Sequence, residues 1–441
     1  MKYIILICGF LNLIGFSYEA FCEALHENTA SLSFNVEEAV TTVLNNYPTI
    51  KEANEALRCS MAGLNESRSD YYPKLTANFG YTRLDPDPAI DFPGLGSIQL
   101  FPENNYDINL HLKYNILGLG KTNSQVDLAK SRLDSSQNNI DLLKNNLAFE
   151  TIQIFYLILL LDRSIEVQNK QIDSLNEHLE ITKKKVSSGT ATDFDALTTK
   201  VKVAEATTQK IELQNLLNKE QITLKRLLGA PDDTAIILKG DFPNSPLIFD
   251  ENGLIAKAQN QRIEVKLAEN LEKTALMGYR IAKSDYDPSL NLNLSYGTKN
   301  GYLPNLDTLK QNWIGNVEFS IPLFEGFKTP NKVKEADAKL MIAKLNKWDS
   351  QAQVASEVRK SLSDVRADFE KMSSTELHVK LAQEALSQAK IRYESGIITN
   401  LDLINAETAL AQARLFNIQA LHDYVISGKA LKKSIGDRLW E

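Results

Sequence analysis

The 441-residue chain offers few residues whose types and spacing support covalent chemistry. Gly118-Leu119-Gly120-Lys121-Thr122 has the form of a phosphate-loop tail, in which backbone N–H groups and a lysine would cradle an anion. The position of that loop's first glycine is Asn115, however. There is no G-x-S-x-G elbow for a serine nucleophile and no H-E-x-x-H helix for zinc hydrolysis. Cys8, Cys22 and Cys59 lack the spacing of a metal or redox pair, and the five histidines are scattered. Neither an enzymatic activity nor a cofactor is expected. What remains is electrostatic. Asp195 and Asp402 each follow a Ser-Gly pair (Ser188-Gly189, Ser395-Gly396) at the start of a helical pattern, where the helix dipole favours a negative charge.

The two carboxylates occupy equivalent places because the chain repeats itself. Ser69-Asp70-Tyr71-Tyr72-Pro73-Lys74-Leu75 recurs 215 residues later as Ser284-Asp285-Tyr286-Asp287-Pro288-Ser289-Leu290. Ile116-Leu117, Lys121-Thr122 and Val126 then match Leu323-Phe324, Lys328-Thr329 and Val333 at an offset of 207. The same offset holds for Ser188-Gly189 and Ser395-Gly396, for Thr192 and Thr399, for Asp195 and Asp402, and for Gly229 and Gly436. One loop is therefore longer in the first copy. Solenoid repeats recur every 20 to 50 residues or so, far less than this, and the chain reads as two pseudo-equivalent halves.

Each half carries the same elements in the same order. A helical pattern (about Val36 to Arg68, and about Asn252 to Lys283) leads to a proline, and after it apolar and polar residues alternate. Leu75, Ala77, Phe79 and Tyr81 alternate with Lys74, Thr76, Asn78 and Thr82. Past a Pro/Gly-rich loop (Asp85 to Pro102), Ile108, Leu110, Leu112 and Tyr114 do the same. The second half gives Leu290, Leu292, Leu294 and Tyr296, then Trp313, Val317, Phe319 and Ile321. Four two-faced strands of roughly ten residues result, a length that suits a tilted transmembrane β-strand or a half-buried hairpin of a soluble sheet. Two stretches without Pro or Gly follow, Asn123 to Ser187 and Asn331 to Ser395, each about 97 Å long if helical. The helices after Gly189 and Gly396 show coiled-coil spacing: Phe194, Leu197, Val201, Ala204 and Ile211 in the first, and Leu401, Ile404, Thr408, Ala411, Leu415 and Ile418 in the second.

With 49 basic and 56 acidic residues the net charge is −7, and no dense Lys/Arg run provides a footprint for nucleic acid. Lys2, the apolar run Tyr3 to Phe16 and Cys22-Glu23-Ala24 form a secretory signal peptide, expected over residues 1–24. Cys22 as a lipoprotein acceptor would put Phe21 where a small residue belongs. The apolar run is too short for a membrane-spanning helix, and no longer one occurs.

At this point the chain resembles the TolC family of trimeric outer-membrane efflux and secretion ducts, over its whole mature length. The resemblance rests on the duplicated layout, Tyr72-Pro73 and Asp287-Pro288, Ile321-Pro322-Leu323-Phe324-Glu325-Gly326, and Arg392-Tyr393-Glu394-Ser395-Gly396 with Asn400-Leu401-Asp402-Leu403. It implies an α+β membrane protein of two structural repeats, each with two long coiled-coil helical segments and a β-hairpin. A trimer would form a 12-stranded β-barrel continuous with an α-helical periplasmic barrel. The first repeat would span 25–249, with a hairpin at about 73–116, a long helix at about 123–187, a return helix at about 191–228 and a collar at 229–249. The second would span 250–441, with a hairpin at about 288–323, a long helix at about 331–395 and a return helix at about 398–435. A physical argument agrees that copies must combine: four strands cannot close a membrane barrel, and open edges are not tolerated in lipid. Two copies would give eight strands and three would give twelve; only the resemblance selects three.

By the same resemblance the protein is a passive, gated exit duct of the outer membrane, extending into the periplasm. Its partners would be two further copies of itself, outer-membrane lipid, a periplasmic adaptor, and an inner-membrane transporter of RND, ABC or MFS type, with no nucleic acid. The periplasmic gate would be Asp402 with Asn405, Asp195 and Tyr393. Asn405 stands where the family has a second aspartate, and Ile398 where some members have a basic residue that latches the site of Asp195, so an ionic latch is not expected. Tyr393 would constrain the tip by hydrogen bonding. Ser188, Gly189 and Thr190, with Ser395, Gly396 and Ile397 and the nearby Lys185 and Arg392, would contact the adaptor. The rival is a periplasmic or secreted coiled-coil scaffold without channel activity, its strands buried in a globular sheet.

Overall fold

The computed structural model describes residues 32–86, 89–94, 96–243 and 250–440. The expected signal peptide and Cys22 lie outside the described residues, as does the end of the expected collar. In chain order the elements are β1 (Leu32–Phe34), α1 (Val36–Asn46), α2 (Pro48–Ser69), β2 (Lys74–Arg83), β3 (Ala89–Phe92), β4 (Gly96–Gln99), β5 (Asn104–Leu117), α3 (Leu119–Ser187), α4 (Asp193–Leu228), β6 (Ile236–Leu238), α5 (Glu251–Gln261), α6 (Ile263–Lys283), β7 (Ser289–Lys299), β8 (Lys310–Ser320), α7 (Lys328–Glu394) and α8 (Asn400–Ser434). They form two compact units. One comprises residues up to Asn46, Thr151–Pro243 and Thr375–His422; the other comprises Tyr47–Glu150, Asn244–Ser374 and Asp423–Glu441.

The second unit holds the four-stranded sheet. Its order is β2-β5-β7-β8, antiparallel throughout, so the hairpins of the two repeats lie side by side through β5 and β7. The register lines up one apolar face across all four strands. Leu75 stands opposite Leu112, Leu112 opposite Leu294 and Leu294 opposite Gly315; one row away run Ala77, Leu110, Tyr296 and Trp313. The alternate rows are polar, with Lys74, Lys113, Asn293 and Asn316 in register. This apolar face is exposed: Phe79 is 79% and Trp313 76% accessible. At Gly297 an added Cβ would collide with the Ile108 carbonyl, so the close approach of β5 and β7 requires glycine there. Within the Pro/Gly-rich loop of the first copy, β3 and β4 make a small additional hairpin.

The duplication is also visible in a feature the sequence pattern concealed. Each helix expected to lead into a hairpin is broken, and the breaks fall at equivalent places: α1 ends before Tyr47-Pro48, and α5 ends before Arg262-Ile263. In the first copy Pro48 occupies the first turn of α2, where its missing N–H is no loss. In the second copy there is no proline, and a charged side chain holds the break. Arg262, in extended backbone geometry, is buried. It donates two bonds of 2.8 Å to Glu264, a third of 2.8 Å to Glu357 of α7, and one of 3.2 Å to the Ser434 carbonyl of α8. Burial pushes the Glu264 carboxyl up, but the Arg262 guanidinium outweighs it and holds the carboxyl below its ordinary value. The repeats differ again at the strand entries. Asp70 pairs locally with Lys74, whereas Asp285 ties Lys121 of α3 (2.7 Å) to Lys332 of α7. Lys121, the lysine of the phosphate-loop-like segment, is thus engaged by a carboxylate.

In the first unit the middle of α3 is apolar on almost every side. Thr151, Ile152, Phe155 and Ile158 to Leu161 are buried, in a core with Ala39, Val40 and Val43 of α1 and Leu224, Leu227 and Leu228 of α4. The expected collar contributes β6, which pairs in parallel with β1, a strand the sequence pattern did not reveal. A helix apolar all round is a buried one, and no described helix is long and apolar enough to cross a membrane. The end of α7 and the start of α8 pack around Ala382, Leu386, Tyr393, Leu403, Leu410 and Ala413, with Ala406 and Ile398 against them.

That packing corrects the expected seam in part. On α8 the contact with α7 runs through Leu403, Ala406, Leu410 and Ala413; of the expected stripe Ile404 and Ala411 are buried too, while Leu401 is exposed. On α4 the predicted seam residues Phe194, Leu197, Val201 and Ile211 are all exposed. The three-and-four spacing was correctly read, but spacing does not say which of two apolar stripes meets a helix of the same chain.

Candidate functional site: the two helix turns and the helix starts behind them

The candidate site lies wholly in the first unit, where α3 turns into α4 and α7 into α8. Both turns close the same way. Gly189 takes a φ of 74°, its N–H meeting the Val186 carbonyl, and the Thr190 N–H reaches the Lys185 carbonyl; Gly396 takes 72°, with the matching bonds to Tyr393 and from Ile397 to Arg392. This is a left-handed glycine termination that satisfies carbonyls the helix would otherwise orphan. Ser188, Gly189, Thr190, Arg392, Ser395, Gly396 and Ile397 are all exposed there.

The helix starts repeat each other just as closely. Asp195 Oδ2 accepts from the Thr192 N–H (2.9 Å) and hydroxyl (2.7 Å), while the Asp195 N–H donates back to the Thr192 hydroxyl at 3.2 Å. Asp402 and Thr399 make the same three bonds at the same three distances. Each is a capping box, which satisfies two free donors of the helix start. The Thr192 bonds hold the Asp195 carboxyl below the ordinary range, and those of Thr399 do so for Asp402. Both aspartates therefore cap their helices as fixed negative charges. Asp402 and Asn405 are exposed and three residues apart, hence neighbours on one helix face.

Tyr393 and Lys185 are placed differently from expectation. Tyr393 is buried in the core between α7 and α8, and its contacts run through its ring and main-chain carbonyl. The Lys185 ammonium lies 3.8 Å from the centre of that ring and donates to the Tyr393 carbonyl at 3.4 Å. Lys185 thus ties α3 to α7 instead of presenting its charge at the turn. Sequence reasoning also missed a buried polar cluster at this end: His178, Thr182, Thr199 and Asn400, with Ser174 bonded to Glu407 one turn away. The Thr-x-x-Asp pattern was a readable sign of the capping boxes, whereas a lone histidine and a lone asparagine on separate helices carry no pattern that joins them.

The sequence profile described as outer membrane efflux protein matches residues 39–230 and 254–437. The chain belongs to the outer membrane efflux protein family. The two matched stretches correspond to the two repeats, and the family is one of channels. Among curated relatives, the chain is 21% identical over 407 residues to outer membrane protein TolC of Vibrio cholerae, covering 91% of this chain and 90% of that one. It is 25% identical over 285 residues to the alkaline protease secretion protein AprF of Pseudomonas aeruginosa, spanning only 58% of that protein's length. Among solved structures, the outer membrane protein VceC of Vibrio cholerae superposes with a TM-score of 0.79 at 19% identity, covering 92% of this chain and 97% of that one. A membrane protein from Pseudomonas aeruginosa gives 0.80 at 19% identity. The α+β fold with two repeats is therefore that of the family's outer-membrane channels.

Proposed function

We propose that the chain is one subunit of a trimeric, passive, gated exit duct. It would carry substrates of a tripartite efflux pump or type I secretion system across the outer membrane, on from an inner-membrane transporter of RND, ABC or MFS type and a periplasmic adaptor. The observation that carries this reading is the sheet. Its apolar face is in register over four strands and exposed, and among the described residues its outer strands β2 and β8 each have one free edge. Lipid would cover the face, and β8 of one copy would pair with β2 of the next, a head-to-tail contact that closes into a ring. The scaffold alternative needs the same face buried in a globular sheet, and its exposure speaks against that. The exposed stripe on α4, with Phe194, Leu197, Val201 and Ile211, likewise suits packing between copies.

In this reading Asp402, repeated by symmetry, forms a ring of charge at the constriction, with Asn405 beside it and Asp195 behind it. Tyr393 and Lys185 hold the ends of α7 and α3 together, and the exposed residues Ser188, Gly189, Thr190, Arg392, Ser395, Gly396 and Ile397 meet the adaptor. Single-channel recording in planar bilayers tests this. Asp402→Ala is expected to cut cation selectivity and block by trivalent cations several-fold, to the order expected for losing one charge per copy at close range. Unchanged selectivity and block would remove Asp402 from the constriction.

A further inference from the structure

The two hairpins are copies of each other in register as well as in sequence. Leu75 stands opposite Leu112 in the first; the residues 215 and 207 positions further on, Leu290 and Phe319, stand opposite each other in the second. Ala77 with Leu110, and Leu292 with Val317, repeat the match. The same two offsets therefore carry a contact of one half onto the other. The chain contains a further seam, where β5 and α3 of the first half meet β7 and α6 of the second. Carried forward by those offsets, it joins β8 and α7 to β2 and α2. Since β2 and β8 are the two outer strands of the sheet, only another copy can supply that partner.

The side chains along the inner seam have counterparts that lie open. Inside the chain the Lys121 ammonium of α3 bonds the Asp285 carboxylate at 2.7 Å. The counterparts are Lys328 and Asp70. Lys328 is exposed and its ammonium has no partner among the described residues, while Asp70 bonds Lys74 in an exposed pair. Deeper along the seam, the buried Ser131 hydroxyl of α3 donates to the Asn270 carbonyl of α6 at 3.1 Å and accepts from the Thr274 hydroxyl at 3.1 Å. The counterparts of Ser131 and Thr274 are Ala338 of α7 and Cys59 of α2, both exposed. The same face of α7 continues through Ile342 and Leu345, 57% and 58% exposed. Groups covered at one seam are bare at the other, as a missing neighbour would leave them.

We infer that the seam between copies repeats, residue for residue, the seam between the halves of one chain. Leu112 opposite Leu294 and Leu110 opposite Tyr296 become Phe319 opposite the partner's Phe79 and Val317 opposite the partner's Tyr81, which keeps the apolar face unbroken. Lys328 bonds the partner's Asp70, and Ala338 lies against the partner's Cys59. This rests on the reading of the chain as one subunit of a shared barrel and goes beyond it, because that reading fixes neither the register nor the contacts.

The test uses the full-length protein in its own membranes. Cys59 is the one cysteine outside the expected signal peptide, so Ala338→Cys supplies a single second thiol. The hydroxyl contact of Ser131 with Thr274 shows that side chains at these positions come within disulfide reach. Diamide, which takes one hydrogen atom from each of two thiols, is expected to give covalent dimers and trimers on a non-reducing denaturing gel. Their yield should exceed that of Lys334→Cys, one helical turn away, by about fivefold or more. Adding Cys59→Ser to Ala338→Cys should abolish the product. The native mass in mild detergent is measured on the same samples. No cross-link from Ala338→Cys, or equal yields from both positions, in protein whose mass is that of several chains overturns the inferred seam and leaves the shared barrel standing. A monomeric mass without a cross-link removes the shared barrel, and the seam with it.

Discussion

At the scale of residues, the proposed gate rests on charges held in place by their own helix starts. A carboxyl whose ordinary value is depressed on folding adds stability that is full above the ordinary carboxylate range. That stability is lost as pH falls through the lowered value. Asp195 and Asp402 are both of this kind, so the helix starts and the negative charge they present persist at neutral and mildly acid pH and fade only in stronger acid. Removing the Thr399 hydroxyl by Thr399→Val takes away two of the three bonds that make this box. We expect the acid titration of cation selectivity to move to higher pH in that variant, read from reversal potentials across a pH series. An unmoved titration would mean that the selective charge is not Asp402. The positions of these residues were legible, because Ser-Gly, Thr and Asp recur at one offset in both halves. The inward turn of Lys185 onto Tyr393 was not, because it depends on how α3 and α7 pack.

At the scale of elements, the long helices and four strands were legible from their period and from the absence of Pro and Gly. The breaks before Pro48 and Ile263 were not read, although Pro48 is a stop signal that a longer amphipathic pattern concealed. The break at Arg262 could not be read locally at all, since Glu357 and Ser434, two of its partners, come from α7 and α8. Prediction follows from that asymmetry. Arg262→Ala strips four charge-assisted bonds from a buried site and should destabilise the fold by about 2 kcal/mol. Pro48→Ala removes mainly a restriction on the unfolded chain and should cost about 0.5 kcal/mol. Thermal unfolding of the detergent-extracted protein compares them, and an equal loss in both would show that Arg262 does not hold the second break. The stripe on α4 is the complementary case: its spacing was plain, but its large apolar residues lie exposed, which spacing alone does not tell.

At the scale of the whole molecule, a sheet with an apolar outer face and two open edges is incomplete as a single chain. Trp313 stands on that face, while Trp348 belongs to α7 and Trp440 lies near the C-terminus. Brominated acyl chains in reconstituted vesicles should therefore quench wild-type fluorescence and lose most of that effect in Trp313→Phe; equal quenching in both would place the sheet away from lipid. The number of copies was never legible in one chain, because strand count fixes only that four is too few. The account depends most directly on that number. The native mass of the mature protein, extracted from membranes in mild detergent, is predicted to be that of three chains. A monomer recovered from membrane-free extract without detergent would contradict the shared barrel and the duct with it.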